Sequence, residues 1–255
     1  MTTAFAPIQF LPTQIQLFDS LPSTNDYLKQ AVSDCDGLPE GTVVWALDQT
    51  NGRGQHANEW LTEKGENVTL SILLKPKNLL ASEAFRLSKC IALAVQSTVS
   101  HFANNPTRIK WPNDIYIDSQ KIAGILIENT IQGEYVKYTV VGVGLNVNQV
   151  NFRSDNNPTS LRKNTGEIYV LQEVVDLLLA YISARYLQLQ LKNHKKIDGD
   201  YFQLLYKVYH EQNFIVHEKV ILCQVNEVLA NGSIVLSIGD EKKARVFLSI
   251  LGGNG

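Results

Sequence analysis

The 255-residue sequence predicts an α+β fold: strands gathered into one sheet with helices against it, followed by a small all-β tail. Three observations carry that expectation. Short β-branched runs recur between residues 42 and 148; two long helical patterns flank the later ones; and from Asn213 the chain changes to brief alternating strands. The implied division is a main domain over 1–212 and a compact β domain over 213–255.

The elements follow in order. After a short extended lead-in, "FDSLPSTNDYLKQAV" starts a helix: Ser23 or Thr24 serves as N-cap, Asp26 suits the positive terminus, and Tyr27, Leu28, Ala31 and Val32 form an apolar face. "TVVWALD" (Thr42–Asp48) reads as a buried strand and "NVTLSILLK" (Asn67–Lys75) as the next. Between them lies "QTNGRGQHANEW", polar and glycine-rich, either a surface hairpin or a loop that closes over an anion. "SEAFRLSKCIALAVQSTVSHF" is apolar on most sides, a centrally buried helix. Three strands follow, "TRIKW", "DIYI" and "KIAGILIEN", the first two hinged at Trp111-Pro112-Asn113-Asp114 by turn-forming residues. "YVKYTVVGVGLNVN" is a further strand, "NQVNFRSDNNPTSLRKNTG" a loop, and "LQEVVDLLLAYISARYLQL" and "GDYFQLLYKVYH" are helices. In the tail, Asn231-Gly232 marks a hairpin turn.

Composition narrows the function. The chain is 44% hydrophobic and 19% charged with net charge -2, so it shows no electrostatic footprint for nucleic acid. Cys35, Cys90 and Cys223 are too far apart for a CxxC pair and read as reduced thiols. The N-terminal residues lack a signal-peptide pattern, and no apolar run nears the roughly 20 residues of a membrane span. The expectation is a soluble cytoplasmic protein without membrane attachment. P-loop, GxSxG, HExxH and kinase motifs are missing from the sequence, and its five histidines lie in unrelated contexts. What remains is chemistry by charge and position, with no side-chain nucleophile.

Several motifs fit such chemistry. Gly52 and Gly54 let backbone N–H groups approach a ligand, with the forked Arg53 between them. Lys110 and Lys121 sit on consecutive strands and either project into one cleft, where they would neutralise phosphate charge, or cap solvated strand ends. Trp111 offers an aromatic surface or fills the core, and Asn113 a donor and acceptor for a base edge. Gly124 follows Lys121, and Gly142 and Gly144 interrupt a strand, with Asn146 at its edge; something approaches the backbone there, or the sheet curves. Ser23, Thr24 and Asn25 are a helix cap and also a row of neutral donors and acceptors suited to a ureido or amide head.

Taken in order, "STN", "QTNGRGQ…W", "KWPND", "KIAGILIE" and "VGVGLN" resemble the biotin protein ligase family (biotin–acetyl-CoA-carboxylase ligases) over nearly the whole chain. KWPND followed closely by KIAGIL is the most specific part. The resemblance implies a mixed β-sheet flanked by helices, related to class II tRNA synthetases and lipoate ligases, with a small C-terminal SH3-like β-barrel. It implies a two-step reaction. Biotin carboxylate attacks the α-phosphate of ATP to give biotinyl-5′-AMP and pyrophosphate; a lysine amine of a biotin carboxyl carrier domain then takes the biotinyl group and releases AMP. By the same resemblance Lys121 and Arg53 are catalytic, and Ser23, Thr24, Asn25 and Gln49 hold the biotin head. Gly52, Arg53, Gly54 and Gln55 cover the carboxylate and phosphate, and Gly124 and Gly142 line the biotin pocket. Lys110, Asn113 and Asn146 face ATP, and Trp60 stacks on adenine. Mg2+ accompanies ATP, with no carboxylate singled out as its ligand. Where several relatives read GRGR, this chain has Gln55, which implies faster leakage of the intermediate. About twenty residues precede STN, too few for the DNA-binding domain that some relatives carry. A homodimer by edge-to-edge sheet joining is compatible with the family. The rival substrates are lipoate or octanoate, which need an apolar slot without the polar row.

Overall fold

The computed structural model describes residues 14–248 apart from 36, 56–58, 154–156, 217–218 and 238–245. Seven strands form one sheet in the order β1-β2-β3-β7-β6-β5-β4. They are β1 (Gln14–Phe18), β2 (Thr42–Ala46), β3 (Asn67–Leu74), β4 (Thr107–Lys110), β5 (Asp114–Ile117), β6 (Gln120–Gln132) and β7 (Tyr135–Asn146). β1 and β2 pair in parallel, joined through helix α1 (Thr24–Asp34), and every other pairing in this sheet is antiparallel, so the sheet is mixed.

Side-chain alternation along the strands assigns the two faces. Val43, Trp45, Leu70, Ile72, Leu74, Val141, Val143 and Leu145 join one large core. Helices α2 (Phe85–Phe102), α4 (Leu171–Gln190) and α5 (His194–Gln203) cover that face. On the opposite face Val44, Leu73 and Val140 pack under Leu28 of α1. Ser71 is paired with Gly142, and Thr69 with Gly144, one and two rungs further along. The residues that reach the cavity therefore stand on the α1 face of a sheet whose other face is anchored in the core.

Two helical expectations needed revision. The last helix starts at His194 and stops at Gln203, because the next residues leave to run beside β4: Ile109 N–H donates to Leu204 O and Tyr206 N–H to Ile109 O. Within the polar segment after β7, a short helix α3 (Leu161–Thr165) forms, capped by the Ser160 hydroxyl and ended by Gly166 in the left-handed region (φ 84°). Its buried Leu161 anchors it, a tertiary contact that carries no periodic signal.

The C-terminal strands β8 (Gln212–Val216), β9 (Lys219–Val228), β10 (Ile234–Ser237) and β11 (Val246–Leu248) form an antiparallel sheet in the order β11-β10-β9-β8. The expected closure into an SH3-like barrel turns on segments outside the described residues. This sheet is tied to α2 and to the turn between β4 and β5 by polar contacts. The Lys89 ammonium, 1% exposed, donates to Val228 O and Asp198 Oδ1 at 2.6 Å each, and the Trp111 indole N–H donates to Gly232 O at 3.1 Å.

Candidate active site

A cavity of about 490 Å3 opens on the α1 face of the large sheet. Its lining brings together Ser23, Thr24 and Asn25 from the start of α1; Gln49, Arg53, Gly54, Gln55 and Trp60 from the glycine loop; Asn113 from the turn before β5; and Lys121, Gly124, Gly142 and Asn146 from β6 and β7.

One end is neutral and polar. Ser23 caps α1, accepting the Asp26 N–H at 3.3 Å. Thr24 N–H donates to Gln49 Oε1 at 2.8 Å, which fixes that amide with its oxygen toward the helix. Ser71 Oγ stands 2.7 Å from Thr24 Oγ1 and 2.5 Å from Asn25 Oδ1. Asn25 needs the bare strand beneath it, since a Cβ on Gly142 would overlap its Oδ1.

The middle is cationic. Lys121 reaches the cavity through a register shift between β5 and β6: Ile115 pairs with Ala123 but Tyr116 with Lys121, so Ile122 is an extra residue. That bulge turns Lys121 onto the face of Gly124, where its Cε lies 3.6 Å from the place a Cβ of Gly124 would occupy. Its Nζ pairs with Asp114 Oδ1 at 2.7 Å and lies 5.6 Å above the Trp60 ring. Arg53 forms an ion pair with Asp26 of α1 across the cavity rim. The loop carrying it is a narrow hairpin: Trp60 N–H donates to Gly52 O at 2.9 Å, and Arg53 pairs with Glu59. Gly52 stands at the base of that hairpin, where a Cβ would overlap the Trp60 carbonyl.

Toward the far end, Trp60 lies flat across two glycines. A Cβ on Gly144 would stand 2.5 Å from its Nε1 and 2.7 Å from its Cζ2, and one on Gly124 3.1 Å from its Cζ3. Its indole N–H is buried with no partner among the described residues. The Asn113 amide N–H donates to Ile125 O at 2.6 Å and that of Asn146 to Thr159 O at 3.0 Å.

Two expected positions fall outside the lining. Lys110 belongs to the exposed set of β4, whose alternation buries Thr107 and Ile109 and turns Arg108 and Lys110 outward. Its Nζ lies over the Tyr116 ring, 3.3 Å from the phenol oxygen. Gly52 shapes the hairpin without touching the cavity. Residues 56–58, which continue the glycine loop, lie outside the described residues. Sequence reasoning passed over Asp114, quoted only as a turn former, and Arg153, which lines the cavity from an aperiodic loop. The cross-strand pair of Asp114 with Gly124 was the missed signal for the first. Among the described residues, no group of three or more His, Cys, Asp or Glu side chains is placed to hold a metal, and no helix is long and apolar enough to cross a membrane.

Fold and cavity together define a class: a mixed sheet flanked by helices, with a cavity on one face that is neutral and polar at one end and lined by cations in its middle. The chain belongs to the biotin/lipoate A/B protein ligase family, whose model matches residues 17–146. A biotin–[acetyl-CoA-carboxylase] ligase of Mycobacterium tuberculosis is 31% identical over 192 residues, 74% of this chain and 69% of that protein. A bifunctional ligase/repressor BirA of Bacillus subtilis is 36% identical over 131 residues, 51% of this chain and 39% of the relative. The matches span less than half the length of such bifunctional relatives. In fold, the chain is similar to a biotin protein ligase from Aquifex aeolicus solved in complex with biotin and ATP, with TM-score 0.74 and 24% identity over 92% of this chain and 97% of that one.

Proposed function

We propose that this chain is an ATP-dependent biotin protein ligase that forms biotinyl-5′-AMP and passes biotin to a lysine of a biotin carboxyl carrier domain. The observation that carries the reading is the order of chemistries along one cavity: the neutral row Ser23–Thr24–Asn25 with Gln49, then Arg53 and Lys121, then Trp60, Asn113 and Asn146. That order matches a molecule with a ureido head, a carboxylate, a phosphate and a base. An alkyl or dithiolane head would leave the polar row without partners, at a cost of about 1–3 kcal/mol for each buried group.

In this reading the row holds the head and fixes the carboxylate beside Lys121. The carboxylate oxygen attacks the α-phosphorus, the bond to the bridging oxygen breaks, and pyrophosphate leaves. The Lys121 ammonium and Arg53 guanidinium stabilise charge on the phosphate oxygens, a contribution of position and electrostatics. Asp114 and Asp26 hold these cations in place before a ligand arrives. The glycine loop then keeps water from the mixed anhydride. In the second step the neutral acceptor amine attacks the acyl carbon, AMP leaves, and one proton is released. Mg2+ fits as the nucleotide's own ion, held chiefly by phosphates, because no protein cage is built for it among the described residues. Within this reading residues 1–212 are the catalytic unit and 213–255 an accessory β domain, in a cytoplasmic protein.

ATP–pyrophosphate exchange tests the reading, with biotin, lipoate and octanoate supplied separately. Exchange dependent on biotin alone is expected. Exchange with lipoate or octanoate would move the chain to the other branch of its family.

A further inference from the structure

Glu128 lies outside the cavity lining, yet it is bonded to one of the residues that line it. β6 carries Gly124, Leu126 and Glu128 on the α1 face, paired in turn with Gly144, Gly142 and Val140 of β7. The Asn25 amide nitrogen donates to Glu128 Oε2 at 2.8 Å, and Lys29 Nζ meets the other carboxylate oxygen at 2.7 Å. Burial opposes the Glu128 charge, but hydrogen bonds from Lys29 and Asn25 and the nearby charges of Lys29 and Arg53 outweigh it and hold the carboxyl below its ordinary range.

We propose that Glu128 is a positioning residue that sets the direction of the hydrogen bonds in the Thr24–Ser71–Asn25 row and thereby the recognition of a cyclic urea. The inference rests on the biotin reading given above. An ionised carboxylate only accepts, so Asn25 must turn its amide nitrogen to Glu128 and its Oδ1 to Ser71. An amide oxygen cannot donate, so the single Ser71 hydrogen goes to Asn25 Oδ1. Ser71 Oγ, its hydrogen given to Asn25, is then an acceptor toward Thr24 Oγ1 at 2.7 Å, and the one Thr24 hydroxyl hydrogen is shared between it and Gln49 Oε1, which stands at 3.1 Å. From Ser71 through Asn25 the protons of the row run one way, toward Glu128, with Gln49 Oε1 as the competing acceptor at the Thr24 end. Lone pairs on Thr24 Oγ1 and Asn25 Oδ1 are left for the ligand, while Ser23, which accepts from Asp26 N–H, keeps its own hydrogen to give. A cyclic urea has one carbonyl acceptor between two N–H donors, the complement of one donor beside two acceptors.

Glu128→Gln keeps size and hydrogen bonding but removes the direction, because two facing amides pair either way round. A turned Asn25 would present N–H to a ureido N–H. The double variant Asn25→Asp/Glu128→Gln restores the direction with the partners exchanged: the new amide donates and the new carboxylate only accepts. The experiment is calorimetric titration of wild type, both single variants and the double variant with biotin, alongside KM for ATP in the exchange assay and thermal melting. The expected result is biotin affinity about tenfold or more weaker in Glu128→Gln, an ATP KM within about twofold of wild type, and recovery of most of the affinity in the double variant. Affinity within twofold of wild type in Glu128→Gln would reduce Glu128 to a brace between β6 and α1. Equal loss for biotin and ATP with a lowered melting point, or no recovery in the double variant, would also overturn the inference. A wild-type protein that neither binds biotin nor shows biotin-dependent exchange would instead remove the substrate reading, and the inference with it.

Discussion

Gly142→Ala tests the packing logic of the site most sharply. The added methyl would overlap Asn25 Oδ1 and stand 3.0 Å from its Cγ and 3.3 Å from its Nδ2. Carbon atoms rest about 3.5–4.0 Å apart, so the carboxamide must retreat by roughly 0.5–1 Å. It has little room to do so: Asn25 is 3% exposed and bonded to Ser71 and Glu128. Overpacking of this kind costs about 1–3 kcal/mol, and a strained or broken Asn25–Ser71 bond adds about 1 kcal/mol. A total of about 2–4 kcal/mol lowers the melting temperature of a chain this size by roughly 5–15 °C. Biotin affinity falls with it, because Oδ1 moves from its place in the row. Thermal melting with and without biotin measures both effects, and Gly37→Ala, where nothing stands within 4 Å of the added atom, is the control. A Gly142→Ala protein that melts with wild type and keeps its biotin-induced stabilisation would refute the reasoning.

Lys121→Ala is expected to reduce biotin-dependent pyrophosphate exchange by at least about 10²–10³-fold with melting unchanged; retained exchange would show that another group stabilises the phosphate. Gln55→Arg adds a charged donor at the cavity and is expected to slow release of biotinyl-AMP by roughly tenfold or more, read from the decay of labelled intermediate after gel filtration. Native protein is expected to give one rapidly alkylated thiol, the exposed Cys35. Cys90 is fully buried with its pKa pushed up to about 12 and Cys223 is buried, so both wait for unfolding, as mass spectrometry would register. Lys89→Met leaves the Val228 carbonyl without its donor while the partly exposed Asp198 keeps Arg86 beside it, and is expected to cost about 1–3 kcal/mol by urea unfolding. Burial lowers the Lys89 pKa from its ordinary 10.5, so between the two values the unfolded chain holds more protons. Wild-type stability, measured against Lys89→Met, therefore rises as pH climbs toward that upper value.

The strands and the two long helices were legible because each is bounded by turn residues and carries its own period. β2 and β3 are buried along their whole length, and their unbroken apolar and β-branched runs announce it. The last helix was misplaced because "LLY" has helical composition, while a single bridge between Leu205 and Ile109 takes it out of the helix. Lys110 and Lys121 looked equivalent on strands separated by a short turn. The extra residue Ile122 brings Lys121 to the face that Lys110 already shares through its pair with Asp114; what separates them is that Lys110 stands on the edge strand β4, a strand order that leaves no mark in local composition. Glu128 was hidden for a related reason: its partner Asn25 is 103 residues away, and at the end of an apolar run a glutamate reads as a solvated strand residue.

The glycines of the site show why a stable sheet carries so plain a binding surface. β7 alternates Val141, Val143 and Leu145, all buried in the core, with Gly142 and Gly144, whose absent side chains make room for Asn25 and Trp60. A glycine in a strand weakens it by roughly 0.5–1 kcal/mol, and two in succession on one face would favour fraying. Here β7 is the central strand, hydrogen-bonded to β3 on one side and β6 on the other, and its opposite face is closed by α2 and α4. The ladder and the core hold the backbone where the side chains do not. Gly124 on β6 is paired with Gly144, so one continuous bare patch spans two strands beneath the indole. Its size is set by Trp60, whose indole N–H has no partner among the described residues. A ring seated on glycine backbone, with the Lys121 ammonium 5.6 Å from its centroid and its polar atom unmet among the described residues, is held less firmly than one locked by close-packed side chains. The ring is thus the wall of the cavity best able to move when a nucleotide base enters, and quenching or blue shift of indole fluorescence on ATP addition, lost in Trp60→Phe, is the expected sign of it.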